Sequence, residues 1–110
     1  MSISPDKPFT FHRVADVSEL AEDEIKTVEV GGVKIVLTHH QGEYGALDFY
    51  CTHQRGPLGE GKIVDGWLRC PLHDWGFRPL TGEASSGGAP LKIYPLEVRD
   101  DGIYVGIISR

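Results

Sequence analysis

Two short segments of the chain each pair a cysteine with a histidine. The first is Cys51-Thr52-His53, and sixteen residues separate it from the second, Cys70-Pro71-Leu72-His73. Thiolate sulfur and neutral imidazole nitrogen are the ligands that proteins use for iron–sulfur clusters, zinc and copper. Because these are the only two cysteines in the chain, the two segments together offer one set of four ligands: Cys51, His53, Cys70 and His73.

The spacing within the segments leaves more than one kind of site open. The ligands of the first segment lie at i and i+2, so on an extended backbone both side chains point to the same face. The second segment needs a turn, which Pro71 helps to fix. A Cys–His nucleophile would use only one pair and would need an orienting third group, which the sequence does not indicate. Structural zinc usually takes a cysteine pair followed by a histidine pair, so a zinc-stabilised binding module stays as the alternative.

The composition describes a single globular domain, residues 1–110. Its hydrophobic content of 40% and charged content of 25% are ordinary for a soluble protein. The net charge of -5 argues against nucleic acid or an anionic membrane as a partner. The first nine residues lack the apolar run of a secretory signal, and no stretch approaches the ~20 apolar residues of a membrane span. We therefore expect a cytoplasmic protein, in a compartment that keeps cysteines reduced.

Glycine and proline turn signals divide the chain into short strands, and no long window has the apolar period of a helix. Three short segments are typical of β-hairpin turns: Gly31-Gly32, Asp65-Gly66 and Asp100-Asp101-Gly102. The sequence therefore predicts an all-β fold, a small antiparallel sandwich or barrel. The predicted strands are Phe9–Val14, Ile25–Val30, Val33–Thr38, Tyr44–Tyr50, Lys62–Val64, Trp67–Cys70, Ile93–Arg99 and Ile103–Ile108.

Two polar segments are interpreted as parts of the protein surface rather than as binding sites. The acidic run 16–24 is predicted to be a turn or one short helical turn with a solvated face. His39 and His40 have no cysteine or carboxylate at ligand spacing, so they are interpreted as surface residues. Residues 51–80 are interrupted by glycine and proline and predict a small loop-rich unit inserted into a larger sheet.

The paired Cys–His segments resemble the Rieske [2Fe–2S] motif, in which two histidines replace two cysteines on one iron. The run 56–61 is similar to the family's segment after the first pair, and 77–83 to its exit from the second pair. Residues 87–90 (Gly-Gly-Ala-Pro) are similar to the proline-bearing loop that covers the cluster. The resemblance extends from about Ala46 to Ile107.

This resemblance implies the Rieske iron–sulfur fold, with an inserted cluster-binding subdomain at approximately 46–80. It also implies one [2Fe–2S] cluster. Cys51 and Cys70 would hold the buried iron, and His53 and His73 the outer iron nearer to solvent.

The resemblance further suggests a low potential within the range of such centres, about -150 to +300 mV. High-potential members carry an extra cysteine in each loop, where this chain has Gly56 and Leu72. They also carry hydroxyl groups that donate to the cluster sulfurs, where it has Trp75 and Phe77. Fewer donors stabilise the reduced state less. Asp74 stands where the family commonly has glycine, and we expect its carboxylate to face solvent.

A protein of this kind is a one-electron carrier and not itself an enzyme. The resemblance implies a flavoprotein reductase as donor and a terminal oxygenase or another redox enzyme as acceptor, with no nucleic-acid or membrane partner. Electrons would pass through the exposed imidazole edges of His53 and His73. Arg55 and Arg78 are either partner-steering residues or solvated charges. The small subunit of an assimilatory nitrite reductase is a further alternative.

Overall fold

The described part of the chain folds into nine short strands that form three antiparallel sheets. The structure is a computed structural model, and it describes residues 9–52, 56–71, 75–85 and 87–108. The all-β prediction is confirmed, because the described helical segments are only two 3-10 turns, Val17–Glu19 and Leu58–Glu60. The strands are β1 Phe9–Ala15, β2 Ile25–Val30, β3 Val33–His40, β4 Glu43–Asp48, β5 Lys62–Val64, β6 Trp67–Arg69, β7 Gly76–Phe77, β8 Leu96–Arg99 and β9 Gly102–Ile108.

The first sheet has the strand order β1-β9-β8 and joins two distant parts of the chain. Residue Phe9 of β1 pairs with Ile108 of β9. The predicted strand from Ile93 is wrong in its first three residues. Ile93 instead forms a bridge with Leu47, and β8 begins only after Pro95, which has no N–H to give to a strand ladder.

The second sheet has the order β2-β3-β4, and its hairpin turn follows the sequence prediction. Gly31 and Gly32 both have positive φ, 57° and 83°. A two-residue turn with positive φ at both positions matches the twist of the flanking strands, and glycine adopts it without steric cost.

The third sheet, β5-β6-β7, lies in the chain between β4 and β8. Its first hairpin turns at Asp65 and Gly66, which have φ of 53° and 83°. This repeats the turn geometry of the second sheet and confirms the predicted hairpin. No helix in the described part of the chain is long and apolar enough to cross a membrane.

Strand β3 separates two hydrophobic cores because successive side chains of a strand point to opposite faces. Val36 packs into one core, whereas its neighbours Ile35 and Leu37 pack into the other, and all three are fully buried. The core that contains Val36 also contains both cysteines. The sequence of β3 therefore reads as a continuous apolar run, as expected for a strand covered on both faces.

Candidate metal centre

Both cysteines lie in one apolar core. Cys51 follows β4 by three residues and is 2% exposed, and Cys70 follows β6 directly and is 1% exposed. They share this core with Leu58, Leu68 and Phe77, which are fully buried. The two thiols are not joined in a disulfide. The fold thus brings together two sulfur atoms that lie nineteen residues apart in the chain.

The same backbone hydrogen bond closes a loop at each cysteine. The N–H of Cys51 donates to the carbonyl of Gly56, with N···O 2.9 Å, and the N–H of Cys70 donates to the carbonyl of Trp75, with N···O 2.7 Å. Each bond spans five residues. We call residues 51–56 the first cysteine loop and residues 70–75 the second cysteine loop.

The predicted histidine ligands belong to these two loops in sequence. His53 is in the first and His73 is in the second. Both lie outside the described residues, as do Arg55, Leu72 and Asp74. The structure therefore locates the cysteine half of the predicted ligand set and the closing bonds of the loops that carry the histidine half.

Two residues shortly after the first cysteine loop, Gly59 and Gly61, are closely approached by side-chain or backbone atoms. The N–H of Leu58 donates to the carbonyl of Phe49 at 2.9 Å, which brings this segment against the core. A Cβ on Gly59 would lie 2.3 Å from the Thr27 hydroxyl, and one on Gly61 would lie 1.8 Å from the carbonyl oxygen of Arg69. Real Cβ atoms do not come this close, so this arrangement requires glycine at both positions.

The second cysteine loop is held at its exit by β7. Gly76 pairs with Arg69, and Phe77 pairs with Leu68, so β7 returns beside the strand that leads into Cys70. This pairing fixes the chain on both sides of the loop. The predicted strand Trp67–Cys70 is one residue too long. The Cys70 N–H still bonds to the Trp75 carbonyl beside the Arg69–Gly76 pair, but the chain turns at Pro71.

One further segment contacts the first cysteine loop and Gly76, the residue directly after the second cysteine loop. We call residues 84–90 the cover segment. Near its start, the N–H of Ser85 donates to the carbonyl of Gly76 at 2.8 Å, and the N–H of Gly76 donates to the Ser85 hydroxyl oxygen at 3.1 Å. Near its end, the Thr52 hydroxyl donates to the carbonyl of Ala89 at 3.1 Å. The sequence did not single out Thr52 or Ser85, although a hydroxyl directly between two candidate ligands was a usable signal at Thr52.

The donor chemistry of these loops fits an iron–sulfur group. A thiolate left alone in an apolar core would be costly because its charge is desolvated, and bonding to a metal removes that cost. Two buried thiols in one core supply sulfur donors, and the sequence of each loop contains a histidine that would supply a nitrogen donor. Phe77 and the half-buried Trp75 belong to the same core cluster, and the side chain of Phe77 carries no hydroxyl that could donate to sulfide.

His39 and His40 lie at the partly exposed end of β3 and have partners that the sequence did not indicate. His40 Nδ1 lies 2.6 Å from Asp23 Oδ1, and His39 Nε2 lies 3.6 Å from Glu22 Oε1. The ring of His39 also stacks on Tyr44, with centroids 4.1 Å apart. The acidic turn folds back on the end of β3, so carboxylates distant in sequence become neighbours.

Arg78 has a structural contact that the sequence did not indicate. Its guanidinium carbon lies 3.8 Å from the centroid of the Trp67 ring. It follows β7 on the side away from the second cysteine loop, beside the turn at Gly66. This position favours a stabilising role over the steering role.

The comparisons with known proteins agree with this geometry. Residues 10–95 match the family model of the Rieske [2Fe-2S] domain. The chain is similar to the 3-phenylpropionate/cinnamic acid dioxygenase ferredoxin subunit of Photorhabdus laumondii. The two are 37% identical over 97 residues, which cover 86% of this chain and 91% of that protein.

Two solved structures share the fold over most of their length. One is the ferredoxin of carbazole 1,9a-dioxygenase from Nocardioides aromaticivorans, with a TM-score of 0.79 and 25% identity over 87% of this chain and 96% of that chain. The other is a chain in the complex of reduced oxygenase and oxidized ferredoxin in carbazole 1,9a-dioxygenase. Its TM-score is 0.78, with 26% identity over 86% of this chain and 91% of that chain.

Proposed function

The chain belongs to the Rieske [2Fe–2S] domain family, and we propose that it is a one-electron carrier between a flavoprotein reductase and a terminal oxygenase. Membership of this family implies an iron–sulfur cluster. The observation that carries the proposal is the pair of matching closed loops, each opened by a buried cysteine of one shared core. The similarity to ferredoxin subunits of dioxygenases supports the direction of electron flow.

In the proposed site, one [2Fe–2S] cluster is held by four side chains. Cys51 and Cys70 hold one iron, and His53 and His73 hold the other. When bound, the cluster supplies one-electron redox chemistry at a potential that the histidines raise above that of an all-cysteine cluster. The core around the cysteines excludes water from the sulfur ligands, and the loop closures keep the two thiols in place.

The wider organisation follows from the same proposal. Residues 1–110 form one domain, in which approximately 46–80 are the cluster-binding subdomain. The protein works in the cytoplasm, and its cluster has a low potential within the range of Rieske centres. Potentiometric titration tests the last point, and a clearly positive midpoint would contradict it.

The comparisons favour this function over the alternatives. The relatives named above are ferredoxin subunits of dioxygenases, which supports a terminal oxygenase as the electron acceptor. They do not support the alternative that this chain is the small subunit of a nitrite reductase. An iron–sulfur family supports a redox centre rather than a zinc-stabilised binding module.

The first experiment is analysis of the purified protein for iron, sulfide and zinc, with EPR spectra of the reduced form. We expect two iron and two sulfide per chain and a Rieske-type EPR signal, because a [2Fe–2S] cluster takes its four ligands from one chain. Cys51→Ser and Cys70→Ser should lose the cluster, as should His53→Ala and His73→Ala. A colourless protein that contains zinc would contradict the proposal.

The second experiment measures electron transfer with separate partners. The oxidised protein is mixed with an NADH-dependent flavoprotein reductase, and the reduced protein with the oxygenase of an aromatic dioxygenase system. We expect both reactions to show the absorbance change of the cluster. Reduction without any reoxidation by an oxygenase would contradict the proposed acceptor.

A further inference from the structure

We propose that Ser85 is a positioning residue for the second cysteine loop and acts on Cys70 through a single peptide group. The inference rests on the proposed function only in taking Cys70 as a ligand of the cluster. Ser85 is exposed and lies fifteen residues beyond Cys70 in the chain, so neither its position in the sequence nor its burial indicates such a role.

The two hydrogen bonds that connect Ser85 to Cys70 share one planar peptide unit. The carbonyl of Trp75 and the N–H of Gly76 belong to the same peptide bond, which is rigid. On one side the carbonyl accepts the N–H of Cys70 at 2.7 Å. On the other side the N–H donates to the Ser85 hydroxyl at 3.1 Å. The orientation of this plane therefore depends on Ser85 and in turn fixes the direction of the Cys70 N–H.

A second bond makes Ser85 a two-point clamp on Gly76. The Ser85 N–H donates to the Gly76 carbonyl at 2.8 Å, so backbone and side chain of one residue hold both polar groups of another. Gly76 is buried, and a Cβ at this position would lie 3.3 Å from the Ser85 hydroxyl and 3.0 Å from Trp67 Cβ. The absence of a side chain on Gly76 is what lets the hydroxyl approach.

Hydrogen bonds that share one peptide unit polarise each other. When the Gly76 N–H is bonded, the carbonyl on the same amide becomes a stronger acceptor, and in a core of low dielectric this effect is larger than in water. Groups that orient a metal ligand without touching the metal affect both metal retention and electronic properties.

The test compares two isosteric variants of the full chain, Ser85→Thr and Ser85→Val, with Ser85→Ala as a third. The threonine variant keeps the hydroxyl, and the valine variant replaces it with a methyl group of similar size. Ser18→Ala is the matched control, since Ser18 lies in the 3-10 turn Val17–Glu19, outside both cysteine loops and the cover segment. Each protein is examined by EPR of the reduced cluster, by the rate of cluster bleaching in the presence of a chelator, and by hydrogen exchange of the 70–76 peptide.

We expect Ser85→Val and Ser85→Ala to shift or broaden the EPR g values, to bleach about tenfold faster and to exchange faster in the 70–76 peptide. Ser85→Thr and Ser18→Ala should match the wild type in all three readouts. A threonine variant shifted as far as the valine variant would overturn the proposal, as would valine and alanine variants with wild-type g values. If the purified wild-type protein contains no iron, the proposed function itself is contradicted. The iron content of the wild type is therefore measured before any variant is compared.

Discussion

The hydroxyl of Thr52 donates to the carbonyl oxygen of Ala89 at 3.1 Å and so connects the first cysteine loop to the cover segment. We predict that Thr52→Val lowers the free energy of unfolding by about 0.5–1 kcal/mol, because one exposed hydrogen bond is lost. Cluster bleaching should also become faster. Urea unfolding and the bleaching rate measure the two effects. Thr52→Ser keeps the hydroxyl and should behave as the wild type, so a serine variant as unstable as the valine variant would argue against this bond.

A substitution at Gly61 tests the close packing of the segment that follows the first cysteine loop. Its φ is ordinary, but a Cβ would lie 1.8 Å from the carbonyl oxygen of Arg69. Gly61→Ala should therefore lower the free energy of unfolding by about 1–3 kcal/mol through overpacking. The control is Gly31→Asn, since a Cβ on Gly31 would meet no atom within 4 Å and asparagine tolerates the φ of 57° at this position. An equal loss of stability in both variants, measured by thermal unfolding, would contradict the steric explanation.

Substitution of Arg78 tests whether this cation stabilises the fold or steers an electron-transfer partner. Its guanidinium carbon lies 3.8 Å from the Trp67 ring centroid, a contact whose loss should cost about 0.5–1 kcal/mol of stability in Arg78→Ala. We expect unchanged rates of electron transfer with both partners. Arg55→Glu should instead slow transfer and change its dependence on salt, since a charge beside the first pair is placed to steer a partner. Stopped-flow rates at two ionic strengths separate these outcomes.

The free energy of unfolding should depend on pH in the alkaline range because of Tyr94. Its hydroxyl donates to Asp48 Oδ1 at 3.2 Å, and burial, followed by the Asp48 carboxylate, raises the pKa of Tyr94 to about 12 from 10.0. The unfolded chain then releases this proton at a lower pH than the folded chain. The stabilisation is therefore complete below pH 10.0 and is lost as pH rises through about 12.

Tyr94→Phe should remove this contribution. We expect the variant to lose about 0.5–1 kcal/mol near neutral pH through the missing hydrogen bond. Its stability should fall less steeply than that of the wild type between pH 10.0 and about 12. Urea midpoints across this range provide the measurement, and subtracting one curve from the other cancels the other tyrosines. Parallel curves would show that Tyr94 ionises alike in both states.

The parts of the structure that follow from local chemistry were predictable. Gly31-Gly32 and Asp65-Gly66 require positive φ, which few residue types adopt, so the dipeptides alone indicate the hairpin turns. Cys51 and Cys70 were recognisable because thiolates near histidines have few structural uses. The end of the strand before Cys70 was less predictable, because it depends on the length of the partner strand β7, which is only Gly76–Phe77.

The contacts that depend on distant segments could not be predicted in this way. His39 and His40 contact carboxylates of the acidic run 16–24, which precedes the β2–β3 hairpin in the chain. Thr52 bonds to Ala89 and Gly76 bonds to Ser85, and the residues next to either hydroxyl in the sequence do not identify its partner. Serine and threonine form such bonds wherever the fold supplies a partner, so the residue type alone is uninformative.

The clamp of Ser85 on Gly76 also bears on how fast an electron can move. Adding one electron changes the charge of the site, and any peptide dipole that is free to rotate must then turn before transfer is complete. The Trp75–Gly76 dipole is tied at both ends, so it keeps its direction in either redox state. Dipoles fixed in advance cost no reorganisation at the moment of reaction. Fixing this dipole in advance would therefore lower the contribution of this one peptide group to the reorganisation energy.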